Sequence, residues 1–479
     1  MTWTLVGMKS SCTLKYSCQI EKTRDTLGGA RGGLPMPRLL NARLPSGSLA
    51  TVDFDHGCFV GFHPQSHLIS ATSSPDQFDF EGDDLLPAAV DMHVHSRDPG
   101  LTHKETWAGL ARAALRGGVG WVGDMPNTVP PVTQRADVLA KAALAQASGL
   151  NFGLYLAVVD QNLEALPAIL RDANLPVCGL KVFYGATTGH LVFSRLDRLS
   201  RALERVGSSP LVVFHAEDQA IMDAAEARYQ AEWERARCCP VGSDAWLESF
   251  ALHSLRRPPE AAVKAVEEIL RWARGWGGRV HIAHVSTARE VELIGEARTL
   301  GVRVTCEVAP HHLLLSMEDS PRLGAFLKVN PPVRDRAERE RLRRLVGEGV
   351  VDAFATDHAP HTREEKSQDL ARVPSGIPSL ELFWPLVTEC ARVSGLPWER
   401  AVAMASEVPA RILGLTRRGL LEVGARADFV RFRREAFRVT QKEIVSSCGY
   451  SPYDGMELPG KVREVWIEGR SVSREMARD

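Results

Sequence analysis

Between residues 91 and 100 the chain reads Asp91-Met92-His93-Val94-His95-Ser96-Arg97-Asp98-Pro99-Gly100. It follows Leu85-Leu86-Pro87-Ala88-Ala89-Val90, an apolar run whose length suits a buried strand. In an extended chain residues two apart face the same way, so His93 and His95 present both imidazoles on one side, with Arg97 next along that line. Two metal ligands and a cation would then meet at one strand end. A lone His-X-His can equally close an edge strand, so its meaning depends on what else arrives there.

Four further stretches end in groups of the same chemical kind. Gly179-Leu180-Lys181-Val182-Phe183-Tyr184 carries Lys181, Val213-Phe214-His215-Ala216-Glu217 ends in His215, and Ile282-Ala283-His284-Val285-Ser286 carries His284. Phe354-Ala355-Thr356-Asp357-His358-Ala359-Pro360-His361 supplies Asp357 and more imidazoles. Neutral imidazoles and carboxylates suit zinc, whereas a lysine ammonium cannot ligate a cation.

Bringing five strand ends to one place is a task for a parallel barrel. From about 85 to 413 apolar strand-like runs alternate with amphipathic helices, the pattern of an α/β domain with a parallel sheet. After the run at 85–90 the expected strands are 119–125, 152–159, 177–184, 211–215, 280–285, 302–308 and 350–356. Together they make eight, which predicts a (β/α)8 TIM-type barrel with its active site at the strands' C-terminal ends. An open doubly wound sheet is the alternative, but no glycine-rich dinucleotide fingerprint follows the first strand. The first helix shows Trp107, Leu110, Ala111, Ala114 and Leu115 at steps of three and four, closed by Gly117-Gly118.

Residues 36–84 and 414–479 read as short strands, with Leu421 to Val430 and Val462 to Arg470 strand-like and a hairpin turn at Gly469-Arg470. They are expected to form one small β-sandwich satellite from both chain ends. Residues 1–35 lack periodicity and are read as a disordered extension or a misassigned start, with the folded part beginning near Met36.

Composition bounds the function. With 44% hydrophobic and 24% charged residues the chain reads as globular, and a net charge of -1 gives no pull toward nucleic acid or anionic membrane. No apolar run approaches the roughly 18 residues of a membrane helix. The nine cysteines are scattered without a Cys-X-X-Cys pair. That predicts reduced thiols, a cytoplasmic setting and a metal site built from His and carboxylates.

With these stretches in hand, the chain resembles the dihydroorotases of the cyclic-amidohydrolase superfamily over nearly everything from about 37 to 472. The motifs are the 91–100 stretch, Asp124-Met125-Pro126-Asn127-Thr128, Cys306-Glu307-Val308-Ala309-Pro310-His311-His312, Val329-Asn330-Pro331-Pro332 and Thr356-Asp357-His358-Ala359-Pro360-His361-Thr362. The resemblance implies two zinc ions per subunit, with His93, His95 and Asp357 holding one, His215 and His284 the other, and Lys181 bridging them as an N-carboxylated lysine. It implies reversible cyclisation of N-carbamoyl-L-aspartate to L-dihydroorotate in de novo pyrimidine biosynthesis, by zinc-bound hydroxide with Asp357 as general acid and base. Arg97 offers a planar fork for a substrate carboxylate, Asn127 and His361 add hydrogen bonds, and Asn330 resembles another contact. Thr187 and Thr188 resemble a lid that closes over substrate. His311 and His312 are expected to be structural, and the rim at 366–374 is left unassigned.

Ser96 departs from the leucine or phenylalanine of many relatives, but it points to the opposite side of the strand and is expected to leave the ligands unaffected. An allantoinase or hydantoinase-type cyclic amidase is the rival within the superfamily. A neutral ring such as allantoin has no need of a fixed cation at Arg97. A non-catalytic scaffold partnering aspartate transcarbamoylase is the alternative of another class, and six filled ligand positions argue against it. The expected partners are a small-molecule substrate, a second copy in a homodimer and a complex with aspartate transcarbamoylase; no nucleic acid and no membrane.

Overall fold

The computed structural model describes residues 36–70, 74–186, 191–206 and 210–472. The segment 1–35 and Thr187 and Thr188, expected to form a lid, lie outside the described residues. No helix among the described residues is long and apolar enough to cross a membrane.

Eight parallel strands follow one another in sequence order: Ala89–Val94, Val119–Asp124, Asn151–Ala157, Val177–Tyr184, Leu211–Ala216, Arg279–Ile282, Val304–Val308 and Ala353–Phe354. The eighth keeps only two paired residues. Beyond it the chain leaves the ladder because the buried Asp91 carboxylate takes both the Thr356 N–H, at 3.1 Å, and its hydroxyl. His358 then returns to meet the first strand, its carbonyl accepting from His95 N at 2.9 Å, and this bridge closes the barrel. The closed (β/α) barrel is therefore as expected, with a shorter last strand.

Alternation along the strands sorts side chains between two layers. On the fifth strand Val212, Phe214 and Ala216 face the surrounding helices, while Leu211 and Val213 fill the barrel interior and His215, two further on, reaches its mouth. The interior beneath the mouth is filled by Tyr155, wedged between Gly123 and Gly179. A Cβ on either glycine would come within 3.1 Å of its ring. Its hydroxyl donates to Met92 O at 3.0 Å, so the buried phenol is satisfied. The first helix, Trp107–Gly117, is capped by the Thr106 hydroxyl accepting from Gly109 N and ended by Gly118 at φ 79°, where the left-handed backbone requires glycine.

The run 85–90 was expected to be one strand but is divided between two sheets. Asp84–Pro87 pairs antiparallel with Phe429–Arg433 in the satellite sheet, and only from Ala89 does the chain enter the barrel. Both halves are buried on both faces, so no change in polarity marks the join. Strands from both ends of the described chain share one sheet, in which Arg38–Arg43 and Leu49–Asp55 connect through Asp84–Pro87 to Phe429–Arg433 and Lys461–Ile467. The sheet curls until its far strands face each other, with Phe54 5.7 Å from Trp466 and Phe59 5.7 Å from Phe429, ring centre to ring centre. The stretch before Phe429 is a turn rather than a strand, with Gly424 at φ 87°. The last hairpin turns at Glu468-Gly469, φ 52° and 71°, one residue before the expected position, in the pattern of a type I′ turn.

Candidate metal and active site

At the mouth of the barrel His93, His95, Arg97, Asn127, Lys181, His215, His284, Asn330 and Asp357 line one pocket, together with Phe183, Val329, Ala359, Ser375 and Gly376. Its empty space is about 390 Å³, including the opening to solvent. His361 is not part of the lining. It lies behind Arg97, whose Nη2 is 3.1 Å from its Nε2, and behind Gly376, where a Cβ would come within 2.9 Å of its ring.

Donor atoms of His93, His95 and Asp357 lie within 4.8 Å of one another. Both imidazoles approach the same oxygen, with His93 Nε2 at 3.3 Å and His95 Nε2 at 3.1 Å from Asp357 Oδ1. Facing them, His215 Nδ1 and His284 Nε2 are 3.2 Å apart. The far nitrogens settle the tautomers. His93 Nδ1 donates to Glu307 Oε1 at 2.5 Å, His95 Nδ1 to Asn127 Oδ1 at 2.7 Å and His215 Nε2 to Glu217 Oε2 at 2.9 Å. With the proton held outward, each ring turns a lone pair inward, which is the arrangement metal-ligating histidines require.

Electrostatics supports the same reading. Burial holds His95 down to about 4 and pushes His284 and His215 below their ordinary range, so these rings stay neutral. For Asp357 burial opposes ionisation, but His93 and His95 overcome it and keep the carboxyl well below the usual range. Burial lowers the Lys181 amine to about 8, and its Nζ has no hydrogen-bond partner among the described residues. An amine buried this way among ligands, with His284 Nδ1 also unpartnered, fits a site built to carry cations.

Arg97, His284 and Asp357 all sit at positive φ, 63°, 35° and 48°. For residues with a Cβ this backbone is unfavourable by about 1 to 3 kcal/mol each, and it persists only where surrounding contacts fix it. Arg97 is 2% exposed; its Nε donates to Pro360 O at 3.0 Å, and no carboxylate pairs with it among the described residues. Burial lowers its pKa to about 10, which leaves it charged.

Several supporting residues escaped the sequence reading. Glu307 joins His93 to His281, whose Nε2 is 3.1 Å from Oε2, and these rings keep it ionised against burial. Glu217 is held by Arg257, whose Nη2 also donates to Ala186 O at 2.7 Å. Both carboxylates stand inside the quoted stretches, and Glu217 falls two residues after His215, so the alternation rule pointed to it. Asn127 was read as a substrate contact, yet its oxygen serves His95. Glu307→Gln is expected to weaken metal binding about 10- to 100-fold, the usual effect of losing a partner that orients a ligand, as measured by competition with a chelator. Unchanged affinity would show that His93 needs no such support.

Ser96 turns away from the pocket as expected, and its N–H and hydroxyl bond Asp124 at 2.7 and 2.9 Å. Asp124 also pairs with buried Lys141 at 2.5 Å. The rim 366–374 is anchored by two buried lysines. Lys366 donates to the carbonyls of Ala325, Lys328 and Pro374, and Lys328 to those of Leu370 and Val373. His311 and His312 are buried outside the pocket lining, and neither ring has a hydrogen-bond partner among the described residues.

Comparison with known proteins agrees with this geometry. The sequence profile described as the Amidohydrolase family matches residues 85–472. A dihydroorotase of Halobacterium salinarum is 38% identical over 376 residues, 78% of this chain and 82% of that protein. An allantoinase of Streptomyces avermitilis is 33% identical over 398 residues, 82% of this chain and 85% of that protein. Among solved structures, the L-hydantoinase (dihydropyrimidinase) of Arthrobacter aurescens superposes with a TM-score of 0.80 at 26% identity, covering 91% of this chain and 95% of that one. The chain belongs to the amidohydrolase family.

Proposed function

We propose that this protein is a dihydroorotase, interconverting N-carbamoyl-L-aspartate and L-dihydroorotate. The observation that carries the choice is Arg97, a buried guanidinium on the pocket wall with no carboxylate partner among the described residues. Burying an unpaired charge is costly, and a substrate carboxylate is the group that would offset it. Dihydroorotate carries such a carboxylate beside its cyclic amide. The similarity to dihydroorotases at 33 to 38% identity supports the reading.

His93, His95 and Asp357 would hold one zinc ion, His215 and His284 a second, and Lys181, converted to its carbamate, would bridge them. Zinc bound there would polarise the scissile carbonyl and lower the pKa of a water molecule. The protein's own groups do the rest. Asp357, kept ionised by its histidines, accepts a proton at its carboxylate and returns it to the leaving amide nitrogen. Arg97 fixes the ring by its carboxylate so that the amide faces Asp357, and Asn330, in the lining of the same pocket, adds a contact.

A second reading, a cyclic amidase acting on allantoin or a hydantoin, is favoured by the allantoinase and hydantoinase similarities. The test is turnover of dihydroorotate, allantoin and hydantoin by one preparation, with bound metal quantified. Dihydroorotate is expected to be the preferred substrate by kcat/KM. Turnover of allantoin or hydantoin with none of dihydroorotate would replace the first reading with the second.

A further inference from the structure

His361, fully buried behind Arg97, is met at both ring nitrogens by groups that disagree about where its proton belongs. Nδ1 faces Lys104 Nζ at 3.1 Å and, farther off, Glu365 Oε2 at 3.6 Å. Nε2 faces Ser375 O at 3.0 Å and Arg97 Nη2 at 3.1 Å. Burial, reinforced by Arg97, holds the ring well below its ordinary pKa, so it is neutral and carries one proton. With that proton on Nε2, the ring donates to the Ser375 carbonyl, which can only accept. At Nδ1 it then accepts from Lys104, whose ammonium, ion-paired with Glu365 Oε1 at 3.0 Å, can only donate. With the proton on Nδ1, the ring would accept from Arg97 but would set a lone pair against the Ser375 oxygen and an N–H against Lys104. Glu365 offers little in return, because its Oε2 accepts from Thr362 N at 3.0 Å and lies beyond hydrogen-bond reach of Nδ1. The Nε2 proton therefore prevails, and Arg97 Nη2 meets an N–H instead of a lone pair. Lys104 itself is outside the pocket lining, on the turn between the first barrel strand and the first helix, where its N–H donates to Leu101 O at 2.9 Å.

We infer that Lys104 is a positioning residue for anion recognition: by holding the His361 proton on Nε2 it denies Arg97 an acceptor on that ring, and so keeps the guanidinium for a carboxylate in the pocket. The inference rests on the reading of Arg97 as the contact for a substrate carboxylate. Without Lys104 the proton can move to Nδ1. Arg97 then gains an imidazole acceptor inside the protein, and an incoming anion has to displace it.

The test uses Lys104→Met, which keeps the length of the side chain and removes its donors, alone and combined with His361→Phe. Ring-nitrogen shifts of the 15N-labelled full-length protein report the tautomer directly, and the histidine signal lost in His361→Phe identifies the ring. Wild type is expected to carry the proton on Nε2 and Lys104→Met on Nδ1. Lys104→Met should raise KM for dihydroorotate about tenfold, the size of one hydrogen bond, with kcat within about twofold of wild type. For hydantoin, KM, or the inhibition constant where it is not turned over, should stay within about twofold, a split that general damage to the fold would not produce. In the His361→Phe background Lys104→Met should add nothing. A proton on Nδ1 in wild type, a tautomer unchanged by Lys104→Met, equal losses for the charged and the neutral ring, or full additivity with His361→Phe would overturn the proposal. Absence of dihydroorotate turnover in wild type counts against the proposed function, and the ring spectrum, which needs no substrate, then decides by itself whether Lys104 holds the His361 proton.

Discussion

Lys181→Ala is expected to lower kcat/KM by about three orders of magnitude or more, matching the several kcal/mol that metal-assisted charge stabilisation supplies, and to reduce bound metal below two ions per chain. The expectation follows from the surroundings of the amine. Lys181 is 1% exposed on the fourth barrel strand, lines the same pocket as four imidazoles and Asp357, and has a pKa lowered to about 8 by burial. An ordinary buried lysine would pair with a carboxylate or with carbonyl oxygens, as Lys141, Lys328 and Lys366 do. Lys181 has no such partner among the described residues. A lowered pKa supplies the neutral amine that reacts with carbon dioxide, and the carbamate so formed is an anion able to bridge two cations. Native mass spectrometry should show the mass of one carbon dioxide on the wild type and none on the variant. Full metal content and full rate in Lys181→Ala would return this residue to the role of structural lysine.

Arg97→Ala should cost dihydroorotate turnover about 2 to 5 kcal/mol in kcat/KM, since it leaves a substrate carboxylate buried without its partner. A neutral ring such as hydantoin should lose far less, so the ratio of the two rates is the informative measurement. Stability moves the other way. In the unliganded protein Arg97 is a buried cation on strained backbone, so its removal should leave the melting temperature unchanged or raised. Arg97→Lys is expected to behave more like alanine than like wild type, because an ammonium cannot present two parallel donors to a carboxylate. Equal losses for charged and neutral rings would mean that Arg97 supports the pocket wall and does not choose the substrate.

The ligand candidates could be read from the chain because strand periodicity carries them. His93 and His95, or Val213 and His215, keep their side by alternation alone, and a parallel barrel sends every such end to one mouth. Partnership was less visible. Glu307 meets His93 across 214 positions, and nothing in either local stretch announces the other. Supports built on main-chain oxygens were out of reach, since Lys366 and Lys328 bond carbonyls that any residue provides. Boundaries failed where burial is uniform, as at Pro87-Ala88, because a sequence pattern marks exposure and not membership of a sheet.

The two jobs of this pocket are given to parts of different stiffness. The groups proposed to hold metal stand on strands of one closed hydrogen-bonded ring or within three residues of one, as do Arg97 and Asn127, whereas Asn330, Ser375 and Gly376 lie on connections far beyond the strand ends. Loops can be exchanged at little cost to the ring beneath them, so such a molecule can change what it recognises while keeping the reaction it performs. That a dihydroorotase and an allantoinase are each 33% identical to this chain over some 400 aligned residues is the pattern such a division of labour produces over time. It also marks where to intervene: redirecting the protein toward a different ring calls for new connections, and leaves the strands that carry the candidate ligands untouched.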